Sequence, residues 1–389
     1  MSSCGLCDRD RAFLRRTRRP RYGIGSSAIT IVDLFCGGGG LTLGFAEAAR
    51  RLGYATVIPL ALDADPDAIH VFRDNFPNAV VREALVESVF DGRLGSRPTS
   101  AERRARAETG TPAILAGGAP CQGHSDLNNH TRRKDERNAL YLRLARAAEV
   151  LEPQFVCIEN VPTVLNDRGK VVAQAANALR ATGFSVADGV VELVNVGVPQ
   201  RRRRHILLAS LPDLPDPADV LRSLTRSCSQ HGPRTVRWAI EDLLDAPPID
   251  NFDRPSRPTP NNERRMQWLF ANDAYDLPND HRPECHRNEE HSYVSMYGRL
   301  AWDYPAQTIT TGFGSMGQGR FVHPSRHRTL TPHEAARLQT FPDFFTFRSA
   351  RTRGALARMI GNAVPPLLTV ALGLAIIPAL CAKREAVAA

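Results

Sequence analysis

From residue 28 onward the chain alternates short apolar runs with stretches of helical spacing, and this alternation narrows the available folds more than any other feature. Residues 28–35 are apolar and run into four consecutive glycines, Gly37 to Gly40. Residues 41–52 carry apolar side chains at helical spacing, 55–62 form a second apolar run closed by Asp63, and 67–75 are again helix-like. The pattern continues with strands at 113–116, 155–158, 184–194 and 205–209, and with helices at 138–151 and 171–182, the last ended by Gly183. Such a repeat predicts an α/β fold with an open, doubly wound sheet. Residues 93–111 read as an inserted polar loop with a short charged helix at 101–108.

Outside this region the character changes. Residues 1–25 hold seven arginines between Arg9 and Arg21 with little apolar periodicity, which predicts a disordered basic arm. Residues 26–209 form the α/β domain. After Ser210 prolines cluster, alternation stops, and Arg, His and aromatic residues become frequent, so 210–348 read as a smaller, irregular domain. Residues 349–389 return to helix. The stretch from Gly361 to Ala382 has no charged residue, but Pro365, Pro366 and Pro378 interrupt it, so a buried helix is expected and not a membrane span.

The chain of 389 residues has a formal charge of +9, and only three of its fifty basic residues are lysines (Lys134, Lys170, Lys383). Arginine forks onto phosphates and guanine edges, so a nucleic-acid partner fits the balance, although an Arg-rich genome gives the same count. Eight scattered cysteines and no apolar leader argue against a secreted disulfide framework and for reduced thiols in a cytoplasm.

Three segments carry chemistry. Asp33-Leu34-Phe35-Cys36 followed by Gly37–Gly40 is strand, glycine turn and helix start, and Asp63 closes the next strand, where an acid binds ribose hydroxyls. The order predicts a nucleoside-bearing cofactor without saying which. Gly117-Gly118-Ala119-Pro120-Cys121-Gln122 places a thiol at a strand's tip, the position of a nucleophile once nearby positive charge lowers its pKa. Glu159-Asn160-Val161 closes the neighbouring strand, so Glu159 is expected on the same rim, where a protonated carboxyl donates to a ring nitrogen. Gln200 to Arg204 precede another strand. Alternate residues of an extended run share a face, so Arg202 and Arg204 are expected to point together, toward a phosphate or carbonyl oxygen. Separately, an inert buried cysteine, a capping acid and a solvated basic patch explain these segments; their joint order is harder to explain structurally.

Together these segments resemble the C5-cytosine DNA methyltransferase family of the bacterial type. Residues 33–40 look like its S-adenosylmethionine loop, Pro120-Cys121-Gln122 its nucleophile motif, Glu159-Asn160-Val161 its Glu-Asn-Val motif, and residues 200–204 its Gln-x-Arg-x-Arg motif. Residues 328–342 and Gly361-Asn362-Ala363-Val364-Pro365 resemble the ninth and tenth motifs, and 306–312 the Thr-rich segment ending the family's target-recognition domain. The resemblance implies a Rossmann-like, S-adenosylmethionine-dependent methyltransferase domain, with target recognition in 210–348 and 349–389 returning to the catalytic domain. It implies that the chain is a DNA (cytosine-5-)-methyltransferase acting on a cytosine flipped out of duplex DNA. Cys121 would attack C6, Glu159 would serve N3, Arg204 would contact O2, and Arg202 would support the Cys121 loop. Phe35 would lie against adenine, Gly37 and Gly39 near the methionine moiety, and Asp63 on the ribose, with Pro120, Asn362 and Val364 lining the pocket.

The resemblance further implies double-stranded DNA as partner, a monomer, a cognate restriction endonuclease, no membrane, and a cytoplasmic location on the nucleoid. One branch of the family modifies tRNA, but with a much shorter recognition region than residues 210–327. A catalytically idle DNA-binding protein is disfavoured because Cys121, Glu159 and Arg204 are all present. The chain departs from the family at Ala84-Leu85, where an acid commonly meets adenine, at His124, at Met359 and at Ala363. Cys4 and Cys7 lack a second pair, and His281, Cys285, His286 and His291 are expected to serve chain reversals and base contacts, so no metal is expected.

Overall fold

The computed structural model describes residues 5–25, 27–120, 139–226, 232–287 and 296–388. The chain divides into two compact units, one made of Met1–Arg18, Gly197–Arg202 and His231–Ala363, the other of Arg19–Val196, Arg203–Gln230 and Val364–Ala389.

The expected disordered arm is a correction: its first part is a helix, α1 (Gly5–Leu14), docked within the first unit. Phe13 and Leu14 are buried, and Phe13 meets Phe344 edge to face at 6.2 Å. Asp10 is buried against Arg234 at 2.7 Å, and Arg15 bridges to Asp242. Reading only the arginines missed that the intervening apolar and acidic residues have partners more than two hundred positions away. The arm's second part belongs to the other unit, where the Thr56 amide donates to the Tyr22 carbonyl at 2.7 Å.

The second unit holds the sheet. In chain order it contains β1 (Ala28–Leu34), α2 (Gly40–Arg51), β2 (Ala55–Asp63), α3 (Pro66–Asn75), β3 (Val81–Glu83), α4 (Val86–Val89), α5 (Ser100–Thr109), β4 (Ile114–Gly118), α6 (Leu140–Leu151), β5 (Phe155–Asn160), α7 (Val171–Ala181) and β6 (Ser185–Glu192). After the short β7 (Gln200–Arg201) of the first unit come β8 (Arg203–Ser210) and α8 (Pro217–Arg226). The strand order is β3-β2-β1-β4-β5-β8-β6, with β8 antiparallel to both its neighbours and the other pairings parallel. β1 lies between β2 and β4, so the winding reverses there, and the C-terminal ends of these strands border the crevice where such sheets bind ligands. β5 is buried along its whole length, as a central strand covered on both faces must be. The insertion at 93–111 is pinned inward, because Glu102 is fully buried and accepts from Arg146, Gly92 and Thr99.

The first unit adds α9 (Val236–Ile240), α10 (Pro260–Ala271), β9 (Ala306–Gln307), α11 (Pro332–Leu338) and α12 (Arg353–Asn362). Its only described strand pairing between named strands is β7 with β9, two residues long. A small core forms around Met266, Leu269, Leu277 and Val322, and polar staples do much of the rest. Gln200 donates to the Leu338 carbonyl and to Gln339, and accepts from the Ile309 amide. Arg337, 1% exposed, is shared between Asp343 and Asp242. The units depart from the expected boundaries: residues 211–226 stay with the sheet, α8 packing on β6, and 353–362 stay with the first unit.

The last helix, α13 (Pro366–Ala388), lies along α2. A Cβ on Gly44 would come within 2.1 Å of the Pro366 carbonyl, so glycine lets the helices close. Thr369 donates to the Leu41 carbonyl at 2.9 Å across that contact. The uncharged run is thus a core helix: Leu367, Leu368, Leu372, Ile376 and Ile377 are buried.

Candidate active site

At the C-terminal edge of β1 the chain turns sharply, with Phe35, Gly37 and Gly39 at φ 56°, 51° and 97°. Glycine adopts such angles without penalty. At Gly39 it is also required sterically, since a Cβ would sit 2.8 Å from the Phe76 ring. At Gly37 nothing lies within 4 Å of where a Cβ would stand, so the backbone faces open space. The loop is tied to β2: Gly37 N–H donates to Asp63 Oδ2 at 2.8 Å, and Asp65 N–H to Asp63 Oδ1 at 2.9 Å. Asp63 is half-buried, and burial raises its pKa against the pull of these amides.

Beneath the loop lies an acid the sequence reading quoted without giving it a role. Asp33 is fully buried, and Thr42 Oγ1 donates to its Oδ2 at 2.6 Å. Its Oδ1 is buried without a hydrogen bond among the described residues. Burial pushes the carboxyl up to about 7, with Asp63 adding in the same direction and Thr42 opposing. The available signal was a carboxylate inside an otherwise apolar strand. Open space over Gly37, a fixed acid at the end of β2, a half-buried Phe35 ring and an unsatisfied carboxyl oxygen below fit S-adenosylmethionine, with its ribose hydroxyls, adenine and ammonium group. The acid that commonly meets adenine is absent: Ala84 only donates its amide to the Asp63 carbonyl, and Leu85 is exposed.

The chemical side is built on β4, β5 and β8. Pro120 follows β4 and is half-buried; Cys121 lies outside the described residues, as does His124. Asn160 donates to the Ala119 carbonyl at 3.3 Å and accepts from the Val161 amide, tying the end of β5 to the turn that leads to Cys121. Gly118 pairs with Glu159 in register, and a Cβ on Gly118 would stand 3.1 Å from Glu159 Oε2. Arg204 Nε meets Glu159 Oε1 at 2.6 Å, so these two expected residues are brought together.

Arg202 and Arg204 are held by different partners, each within its own unit, which departs from the shared role expected of an extended run. The strand breaks at Arg202, between β7 and β8, so the alternation does not carry through. Arg202 is 1% exposed and donates to the carbonyls of Ile309, Gly361 and Ala363 within the first unit. Its described partners are therefore the Thr-rich segment and the tenth-motif turn. Asn362 is exposed at the end of α12, whereas Val364 is buried in the sheet unit. Of the His and Cys group, His281 packs against Trp268 with its ring tilted by 37° and His286 meets the edge of Tyr297, while His291 lies outside the described residues. Among the described residues no group of three or more His, Cys, Asp or Glu is placed to hold a metal ion.

The family model for C-5 cytosine-specific DNA methylases matches residues 29–378. The Type II methyltransferase M1.BsuMI of Bacillus subtilis (strain 168) is 43% identical over 94% of this chain and 84% of its own length. The Type II methylase M.HgiDII of Herpetosiphon aurantiacus is 32% identical over 88% of this chain and 92% of its own. The solved structure of the S. pombe Dnmt2 methyltransferase matches with a TM-score of 0.61 at 16% identity, covering 92% of this chain and 99% of that one, a likeness of fold. With the family model spanning most of its length and relatives of this identity along nearly all of it, the chain belongs to the C-5 cytosine-specific DNA methylase family.

Proposed function

We propose that Cys121, Glu159 and Arg204 carry the reaction of this DNA cytosine-5 methyltransferase. The observation that supports the assignment is the Glu159–Arg204 pair, which joins the C-terminal end of β5 to the N-terminal end of the antiparallel β8, beside the turn that leads to Cys121. S-adenosylmethionine, when bound by Phe35, Gly37, Gly39, Asp63, Pro120, Asn362 and Val364, supplies an electrophilic methyl group.

The Cys121 thiolate adds to C6 of an extruded cytosine, and the electron pair of the C5–C6 bond becomes available at C5. Glu159 holds a proton at N3, which neutralises the charge that develops in the ring. Arg204 fixes Glu159 Oε1 with one nitrogen and keeps donors for the base O2. C5 gains the methyl group as that group's bond to the donor sulfur breaks, a base or water removes the C5 proton, Glu159 takes its proton back from N3, and the C6–sulfur bond breaks to restore the ring and the thiolate. Arg202 acts by positioning, clamping the segment at Ile309 to the turn at Gly361.

Sequence reading is assigned to the irregular part of the first unit, whose Arg and aromatic content suits base contacts. The relatives' names, Type II methyltransferase and methylase, support a restriction-modification setting; within it the protein is assigned as a cytoplasmic monomer that acts on the duplex beside a cognate endonuclease. The test is methyl transfer from labelled S-adenosylmethionine into duplex DNA and, separately, into tRNA. DNA is the expected acceptor, Cys121→Ser is expected to abolish turnover, and 5-fluorocytosine DNA to trap a covalent adduct. An active Cys121→Ser variant overturns the assignment.

A further inference from the structure

The second unit contains a cavity of about 420 Å³ between two stretches of chain that are both tied to β2. On one side run residues 19–24, where the Tyr22 carbonyl accepts from the Thr56 amide at 2.7 Å. On the other run residues 75–79, followed by the Val80 amide, which donates to the Ile58 carbonyl at 3.0 Å. Thr56 and Ile58 of β2 also line the hollow. Walls already fixed to a strand need little ordering when a ligand enters, so the site is preformed. Its size falls in the usual range for small molecules.

The lining combines an apolar interior with a cationic edge. Pro20, Tyr22, Phe76 and Pro77 are stiff and mostly apolar, and the two rings among them are buried. Ile24 also lines the cavity, although it is 63% exposed. Two arginines and no acidic residue take part. Arg19 is held by the Asp74 carbonyl. Arg21 is exposed and makes no hydrogen bond or ion pair among the described residues. Rings and prolines suit a flat apolar body, and a guanidinium fork suits a carboxylate or sulfonate attached to it.

Phe76 joins this cavity to the cofactor loop. Its ring packs on Phe72 at 4.8 Å between centroids, and a Cβ on Gly39 would stand 2.8 Å from its edge. The same ring therefore borders both the hollow and the glycine turn.

We infer that the cavity binds a small aromatic acid through Arg21, and that its occupancy tightens the hold on S-adenosylmethionine by keeping Phe76 against Gly39. The coupling rests on the methyltransferase reading, whereas the site itself does not. A filled cavity removes the room into which the Phe76 ring could retreat, so the turn from Gly37 to Gly39 keeps its shape. Linkage makes the effect mutual: the cofactor must tighten the aromatic acid by the same factor.

The probe is anilinonaphthalene sulfonate, an aromatic acid that fluoresces on leaving water, titrated into the full-length protein. One saturable site is expected. Arg21→Ala should weaken it about tenfold, the usual loss for a charge-assisted hydrogen bond. Ile24→Asp, a substitution at an exposed position, adds a negative charge to the lining and should abolish binding. Uncharged phenylnaphthylamine should bind wild type and Arg21→Ala alike. In equilibrium dialysis, labelled S-adenosylmethionine should bind about fivefold tighter when the probe is saturating. In Ile24→Asp the probe should leave cofactor affinity unchanged. Probe binding that neither variant alters, or displacement of the probe by duplex DNA, overturns the site. Binding lost in the variants, with wild-type cofactor affinity indifferent to the probe, overturns the coupling. Protein that shows both effects and does not methylate DNA overturns the methyltransferase reading instead.

Discussion

Arg204 Nε lies 2.6 Å from Glu159 Oε1, and their side chains are only 12% and 9% exposed. An ion pair this withdrawn from water is worth more as an orienting device than as a surface bridge. Arg204 approaches one carboxylate oxygen and leaves Oε2 over Gly118.

Arg204→Lys should therefore keep the charge and lose the geometry. A lysine ammonium is a point charge on a flexible stem and does not reproduce the planar fork. Methyl transfer in single turnover should fall about 100- to 1000-fold, the usual cost of one lost donor at developing charge. Duplex binding, read by gel shift, should move only a few-fold. A variant with wild-type turnover would show that the pair has no role in the chemistry.

Gly118 provides a finer probe of the same carboxylate. A Cβ there stands 3.1 Å from Glu159 Oε2, tight enough that the side chain must give. Gly118→Ala is expected to fold normally and to slow methyl transfer about tenfold through a displaced carboxylate. Gly117→Ala differs, because its Cβ would meet the Leu34 carbonyl at 2.6 Å and Leu144 at 2.4 Å. That overpacking should cost about 1–3 kcal/mol of stability in denaturant melts. Equal melting points for the two variants would contradict the packing described for β4.

The sheet was legible because its strands are buried runs between turn signals, and β1, β4 and β5 lie on the runs that end at Phe35, Ala116 and Ile158. The Glu159–Arg204 pairing could be anticipated from strand adjacency. The separate use of Arg202 could not, since one break in the backbone overrides a period of two, and a break carries no local signature in a run of arginines. The docking of α1 was equally hidden: Asp10 and Arg234 find each other only in the folded chain. Asp33 was visible as a residue but not as a titrating group, because its environment comes from β1, α2 and Asp63 together.

Asp33 makes the sheet unit sensitive to pH. Its carboxyl is raised from 3.8 to about 7 on folding, so the folded state prefers the protonated form. The stability it contributes is full below pH 3.8 and is lost as pH rises through about 7. The amplitude is on the order of 4 kcal/mol for three pKa units. Asp33→Asn removes the titration and still offers an oxygen to Thr42 Oγ1. Urea denaturation at several values between pH 5 and 8 should show wild type losing stability relative to Asp33→Asn as pH rises, whatever the constant offset between them. Parallel profiles would mean that Asp33 does not titrate in this window.

The N-terminal helix should be a stabilising part of the first unit and not a dispensable tail. Asp10 and Arg234 pair at 2.7 Å with side chains 7% and 4% exposed, and Arg234 also donates to the Gly197 carbonyl and lies 4.5 Å over Trp238. Removing one partner of such a pair leaves a buried charge uncompensated, at a typical cost of about 3–5 kcal/mol. Asp10→Ala should lower the denaturation midpoint by that amount, and Asp10→Asn by less, because an amide oxygen still accepts from the guanidinium. Replacing both residues, Asp10→Leu with Arg234→Met, should recover much of the loss, since no charge then remains buried. Activity at low temperature should survive in all three, because the pair touches neither Glu159 nor Arg204. An Asp10→Ala protein as stable as wild type would show that α1 is not docked through this pair.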